Sequence, residues 1–164
     1  MPAAIGIVFS SESPDRVLLV KRRDIPVWVL PGGGIEKDEA PEKACEREVF
    51  EETGLEVSLE RKLGTYTPKN WLSDHTHIYV CKSKKGQLTL GPETKDLKYY
   101  PIDALPKILP PPHREWIKRA YAGQKNEVAY VPDATYRLLL KALLRHPVVI
   151  LRYLLSRMGI HLNT

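Results

Sequence analysis

Short apolar runs of strand length dominate the first part of the chain. AIGIVF (3–8) and RVLLVK (16–21) are β-branched or leucine-rich, and the intervening SSESPD has the composition of a turn. Two buried strands joined by a hairpin are expected there. VWVL (27–30) is a third run, ending against Pro31 and three glycines. From Ala40 the pattern turns helical: Pro41 suits a first helical position, Glu42 complements the positive N-terminal end, and Gly54 can stop the helix. The glycines should therefore sit between a strand and a helix.

Strand signals resume with LEVSLER and LGTYT, then HTHIYVCKS (75–83), followed by KKGQL, where Gly86 can supply a hairpin turn. KYYPIDALP (98–106) predicts a last short strand. The prolines at 110–112 predict a loop, and HREWIKRAYAG (113–123) a closing helix with a glycine stop. Strands, one central helix, more strands and a late helix predict an α/β sandwich with a mixed sheet.

A chain of 164 residues fits one domain with a sizeable core. Cys45 and Cys81 are too few for a disulfide framework and lack metal-ligand spacing, so both are expected to be reduced, packed thiols. No basic segment followed by a long apolar core opens the chain, and no charge-free apolar window reaches ~18 residues. A cytoplasmic protein without signal peptide or membrane span is the resulting expectation.

Charge is uneven along the chain. Residues 1–124 hold 19 Lys plus Arg against 18 Asp plus Glu, whereas residues 125–164 hold 6 against 2. The body thus lacks the footprint of a nucleic-acid binder, and nucleic acid is not an expected partner. In the tail, Arg137, Lys141 and Arg145 recur every four residues as a basic stripe, with Tyr136, Leu139, Leu140 and Leu143 on other faces. Pro147 interrupts, and VVILRYLLSRMG predicts a second short helix. Residues 127–164 are expected to serve as a packed extension or homodimer contact, or alternatively as an amphipathic helix on an anionic membrane surface.

The chemistry concentrates on the central helix. At ~100° per residue, Arg47, Glu48, Glu51 and Glu52 fall within roughly 140° of its circumference, with Ala44 in mid-arc and Cys45 and Val49 on an adjoining, core-facing edge. One arginine cannot neutralise three carboxylates, and like charges at i,i+4 oppose helix formation. A hard divalent cation answers both problems, since Mg²⁺ takes oxygen ligands and completes its octahedron with water or phosphate. Glycines without Cβ let the backbone approach such a site closely.

Gly33, Glu39, Arg47, Glu48, Val49, Glu51, Glu52, Gly54 and Leu55 fill every specified position of a motif in which five residues separate Gly from Glu and seven more separate that Glu from Arg-Glu-apolar-x-Glu-Glu-x-Gly-apolar. In this the chain resembles the Nudix hydrolase family. WVLPGGGIE before the motif and DLKYYPIDALP with PHREWIKRA after it are similar to the family's lead-in and closing segments, so the resemblance covers about residues 3–124. It implies a Nudix-type α/β/α sandwich over 1–124, with 125–164 as a basic, leucine-rich helical extension.

For function, the resemblance implies hydrolysis of a diphosphate linkage in a nucleoside diphosphate derivative or related phosphorylated metabolite, with Mg²⁺ as cofactor and Mn²⁺ as a substitute. By motif position it implies Glu48, Glu51 and Glu52 as metal carboxylates, one of them the base, and the Gly33 carbonyl as a further ligand. Arg47 would orient a carboxylate through a bidentate pair, and Glu39 would support the loop. Glu93 and Asp96 are candidates for a further carboxylate from outside the motif. Lys21, Arg22 and Arg23, at the end of the second strand, are candidates for contact with phosphates. His75 and His77 alternate onto one strand face without a third ligand. Trp28, Tyr66, Trp71, Tyr79, Tyr99 and Tyr100 could include a residue that stacks on a base, although packing is the commoner role. The competing functional class is a non-catalytic protein that binds a phosphorylated ligand and is recruited to a partner or membrane by its tail.

Overall fold

The computed structural model describes residues 1–70, 73–132, 140 and 143–158. Along it run β1 (Ala3–Val8), β2 (Arg16–Arg22), β3 (Trp28–Val29), β4 (Gly32–Gly34), α1 (Pro41–Thr53), β5 (Leu55–Thr67), β6 (Thr76–Gly86), β7 (Thr94–Pro101), a 3-10 turn (Ile102–Ala104), α2 (Pro111–Tyr121), β8 (Glu127–Tyr130) and α3 (Pro147–Arg157). Trp71, Tyr136, Arg137, Leu139 and Lys141 lie outside the described residues.

The strands form a mixed sheet in the order β4-β1-β6-β5-β8 and an antiparallel sheet in the order β3-β2-β7. Alternation along β1 shows how the layers pack. Ala4 and Val8 join Ala44, Cys45 and Val49 of α1 in one core, whereas Ile5 and Ile7 join Trp116, Ile117 and Ala120 of α2 in the other. The sheets therefore lie between two helices, the α/β/α arrangement that the resemblance implies. A Cβ on Gly6 would fall 2.5 Å from Val49 Cγ2, so this glycine sets how closely α1 approaches β1.

Several expectations are corrected. β1 and β2 do not form a hairpin: they enter different sheets and meet at the bridge between Phe9 and Val17. Val17 to Val20 are all fully buried, and a strand apolar on both faces takes a central position between two neighbours, here β3 and β7. Gly86, at φ +109°, turns no hairpin either. It pairs with Leu55 at the end of β6, and the chain then crosses to the other sheet. LEVSLER and LGTYT are one strand, β5, whose register shifts between Glu56/Val57, Leu59/Arg61 and Lys62/Gly64 break the sequence pattern in two.

The glycines are not a loop between strand and helix but a strand in their own right, with Gly32, Gly33 and Gly34 opposite Ile5, Ala4 and Ala3. Pro111 and Pro112 open α2 rather than precede it, because first-turn residues have no intrahelical use for an N–H. β8 has no counterpart among the expected strands. It lies past the boundary expected at 124, pairs in parallel with β5, and carries the chain to Val131, which is 1% exposed in the core under α2.

Candidate active site

α1 begins at Pro41 and ends at Gly54, whose φ of +74° gives the left-handed stop and whose N–H donates to Phe50 O at 2.8 Å. Its acidic arc faces β4 and the turn after it, and Ala44 in mid-arc is fully buried. The carboxylates are thus set against backbone instead of open solvent.

Arg47 organises them. Its Nε and Nη2 donate to the two oxygens of Glu39 at 2.9 and 2.8 Å, Nη2 also reaches Gly34 O at 3.0 Å, and Nη1 donates to Glu48 at 2.8 Å and Glu51 at 3.2 Å. The bidentate pair is therefore with Glu39, and Glu48 and Glu51 each receive a single bond. That fork holds the Glu39 carboxyl down at about 2, and its carboxylate partners push the Arg47 guanidinium up.

Glu48 packs on the glycine strand. A Cβ at Gly33 would fall 2.5 to 2.7 Å from its carboxylate atoms, so this position must be glycine while Glu48 lies where it does. Burial raises the Glu48 pKa, against the pull of Arg47. Glu52 is more enclosed, and the Gly32 N–H donates to it at 2.9 Å. Burial, with added repulsion from Glu48 and Glu93, pushes its carboxyl up to about 7. Glu51 has a side chain 53% exposed, at the open end of the arc.

The loop after β6 wraps the end of α1. Thr89 N–H donates to Thr53 O at 2.9 Å, and the buried Thr94 hydroxyl donates to Glu52 O at 3.0 Å. Glu93 is thereby carried into the field of Glu48 and Glu52, and its carbonyl accepts from Arg23 N–H at 3.0 Å. Asp96 is instead exposed opposite Lys21, accepts from Leu97 N–H, and acts on Tyr100. The structure groups Glu93, and not Asp96, with the α1 carboxylates.

Arg22 donates to both oxygens of Asp24, at 2.8 and 2.6 Å, and its charge still reaches Glu52 and Glu93. Lys21 lies 5.8 Å from the centre of the Trp28 ring. His75 and His77 stack edge-on at 5.1 Å, with His77 Nδ1 3.4 Å from both Lys62 Nζ and Thr65 Oγ1. Tyr66 is sealed in the core, its hydroxyl on Glu127, and Tyr79 donates to Glu42 at 2.8 Å. Trp28 and Tyr100 pack edge to face at 5.0 Å.

Sequence reasoning missed Thr94, Asp24 and His113. His113 is half-buried, its Nδ1 accepts from Leu30 N–H at 3.0 Å, and desolvation and the nearby Arg22 charge lower its pKa to about 4. It ties the chain leading into β4 to the first turn of α2. The bond spans 83 residues, so no local pattern announces it.

Among the described residues no group of three or more His, Cys, Asp or Glu side chains is by itself placed to hold a metal ion. The donor set nonetheless fits a hard divalent cation. Glu48 and Glu52 are desolvated carboxylates that repel one another, Arg47 bonds only one oxygen of Glu48, and Glu52 keeps a single N–H partner. Such a cation needs few protein oxygens and takes the rest from water and phosphate.

The family model of the NUDIX domain matches residues 1–121. The chain belongs to the NUDIX family. It is a pyrophosphohydrolase by that membership, of a family that uses divalent metals and small-molecule diphosphate substrates. A Bacillus subtilis protein provisionally named an 8-oxo-dGTP diphosphatase is 35% identical, over 78% of this chain and 85% of its own length. Human diphosphoinositol polyphosphate phosphohydrolase 3-beta is 30% identical, over 73% of this chain and 77% of its own. Among solved structures, a NUDIX hydrolase from Nitrosomonas europaea superposes with a TM-score of 0.68 at 20% identity, covering 79% of this chain and 77% of that one. An ADP-ribose pyrophosphatase from Streptococcus suis does so with a TM-score of 0.65 at 23% identity, covering 79% and 97%. These two establish likeness of fold.

Proposed function

We propose that this NUDIX pyrophosphohydrolase cleaves the diphosphate linkage of a nucleoside diphosphate derivative or a related phosphorylated metabolite, with Mg²⁺ at the carboxylates of α1. The carrying observation is the pairing of Glu48 and Glu52 with the glycine strand: Glu48 against Gly33, Glu52 on the Gly32 N–H, and a Glu52 pKa of about 7. The relatives' names, an 8-oxo-dGTP diphosphatase and diphosphoinositol polyphosphate phosphohydrolases, support the substrate class without choosing within it.

In this reading Glu48, Glu51 and Glu52 hold the cation, with the Gly33 carbonyl as a further oxygen. The bound ion would offset the phosphate charge and make a coordinated water acidic enough to serve as nucleophile near neutral pH. Arg47 holds Glu48 in place and is itself held by Glu39 and Gly34 O, so it positions carboxylates and does not touch substrate. Glu51, exposed and on a single bond of 3.2 Å to Arg47, can turn towards an incoming substrate or its water. Glu93 adds a carboxylate from β7's edge, and Arg22 and Arg23 lend positive charge beside it.

The test is a panel of nucleotide and inositol diphosphates with Mg²⁺, read as phosphate or phosphomonoester release. Turnover by the wild type and its loss in Glu52→Gln supports the reading. Tight binding of a panel member without any turnover favours a phospho-ligand-binding protein instead.

A further inference from the structure

The C-terminal helix leaves its most apolar face uncovered. Leu144, Val148, Leu151 and Met158 are 80, 62, 57 and 74% exposed. Ile150 N–H bonds the His146 carbonyl at 3.1 Å, so the helical path continues through the break at His146. At ~100° per residue those four side chains then fall within an arc of about 80°. Arg145, exposed, borders that arc on one side. Exposed apolar side chains aligned so closely mark a contact surface.

Charge decides which contact. Residues 134–164 contain five Lys plus Arg and no Asp or Glu. A second copy of this helix would bring the same cations and no carboxylate to offset them. An anionic bilayer supplies both an apolar layer for the leucine arc and negative headgroups for its basic border. Among the described residues no helix is long and apolar enough to cross a membrane, so the helix would lie on the surface and not span it. We propose that α3 and the turn before it form a docking surface for an anionic membrane leaflet. Arg152 Nη1 lies 3.4 Å from the carbonyl of Asp24, whose carboxylate holds Arg22, so the docking helix is tied to the loop beside the acidic site.

The test is co-sedimentation of the full chain with vesicles of phosphatidylcholine alone and of phosphatidylcholine with phosphatidylserine. Pelleting with the anionic vesicles, weakened by salt, is expected. Arg145→Glu should lower partition about thirtyfold, as expected for two units of charge at the surface. The double substitution Leu144→Glu, Leu151→Glu should abolish pelleting while leaving the thermal melting transition in place. Absence of vesicle binding, or equal binding to both vesicles, overturns the proposal. So does a concentration-dependent dimer, seen by light scattering, that the same double substitution dissolves, since the arc would then be a subunit interface.

Discussion

Helices α1 and α3 are each one-sided in composition, yet the fold treats them oppositely. In α1 the unusual face is acidic, and β4 and Arg47 cover part of it, so that Glu48 and Glu52 are half-buried against backbone and near each other. In α3 the unusual face is apolar, and nothing among the described residues covers Leu144, Val148 or Leu151. A helix normally turns its apolar side inward and its charges outward. Each inversion costs stability in the isolated chain, and the partners proposed above, a cation for α1 and a membrane surface for α3, would offset that cost.

The sharpest way to break this contrast is Glu52→Gln. Activity should fall by about 10²–10⁴-fold, the range a positioned carboxylate contributes. Stability should move the other way. Burial raises the folded-state pKa from 4.5 to about 7, so the charged form is penalised in the folded chain alone. The cost is absent below pH 4.5, grows between 4.5 and 7, and is complete above it. Cation-free Glu52→Gln should therefore be more stable than wild type at pH 8 by ~3 kcal/mol, measured by urea denaturation. Mg²⁺ should stabilise the wild type and much less the variant.

His113 extends the comparison to α2, where a half-buried group is kept neutral instead of being left charged. Its folded-state pKa is lowered from 6.5 to about 4, so its contribution is complete above pH 6.5 and is lost as pH falls towards 4. Stability should drop by about 3 kcal/mol over that window, and His113→Asn should flatten this part of the profile. An unchanged slope in the variant would show that other groups carry the acid sensitivity.

Gly33→Ala separates cover from fold. The added methyl meets the mobile end of Glu48 and not backbone, so the melting temperature should change little while activity falls about 10–100-fold, the scale of a displaced supporting contact. The same substitution at Gly32, at φ +151° and where the added Cβ would fall 2.4 Å from Ala4 O, should destabilise the sheet itself. The smallest effect belongs to α3. Leu144→Glu with Leu151→Glu should leave turnover of soluble substrate unchanged and shift stability by no more than ~0.5 kcal/mol, as for exposed positions. A larger loss would mean that the apolar arc packs on the body after all.

The sequence alone determined the limits of α1, because Pro41 and Gly54 act locally through their own dihedral preferences, and it determined the arc of Arg47, Glu48, Glu51 and Glu52, because helical periodicity needs nothing beyond the helix. It also carried the complete motif from Gly33 to Leu55, and so the family. What it could not carry is whatever depends on partners distant along the chain. Tertiary structure decided that β1 and β2 part company, that three glycines form a strand, and that Glu127–Tyr130 adds one. It chose Glu93 over Asp96, through the Thr94 hydroxyl on Glu52 O. It gave the Arg47 fork to Glu39, and it raised Glu52 to about 7 by enclosing it. Charge and periodicity are properties of a segment; burial and desolvation, which set how a carboxylate behaves, exist only once other segments close around it.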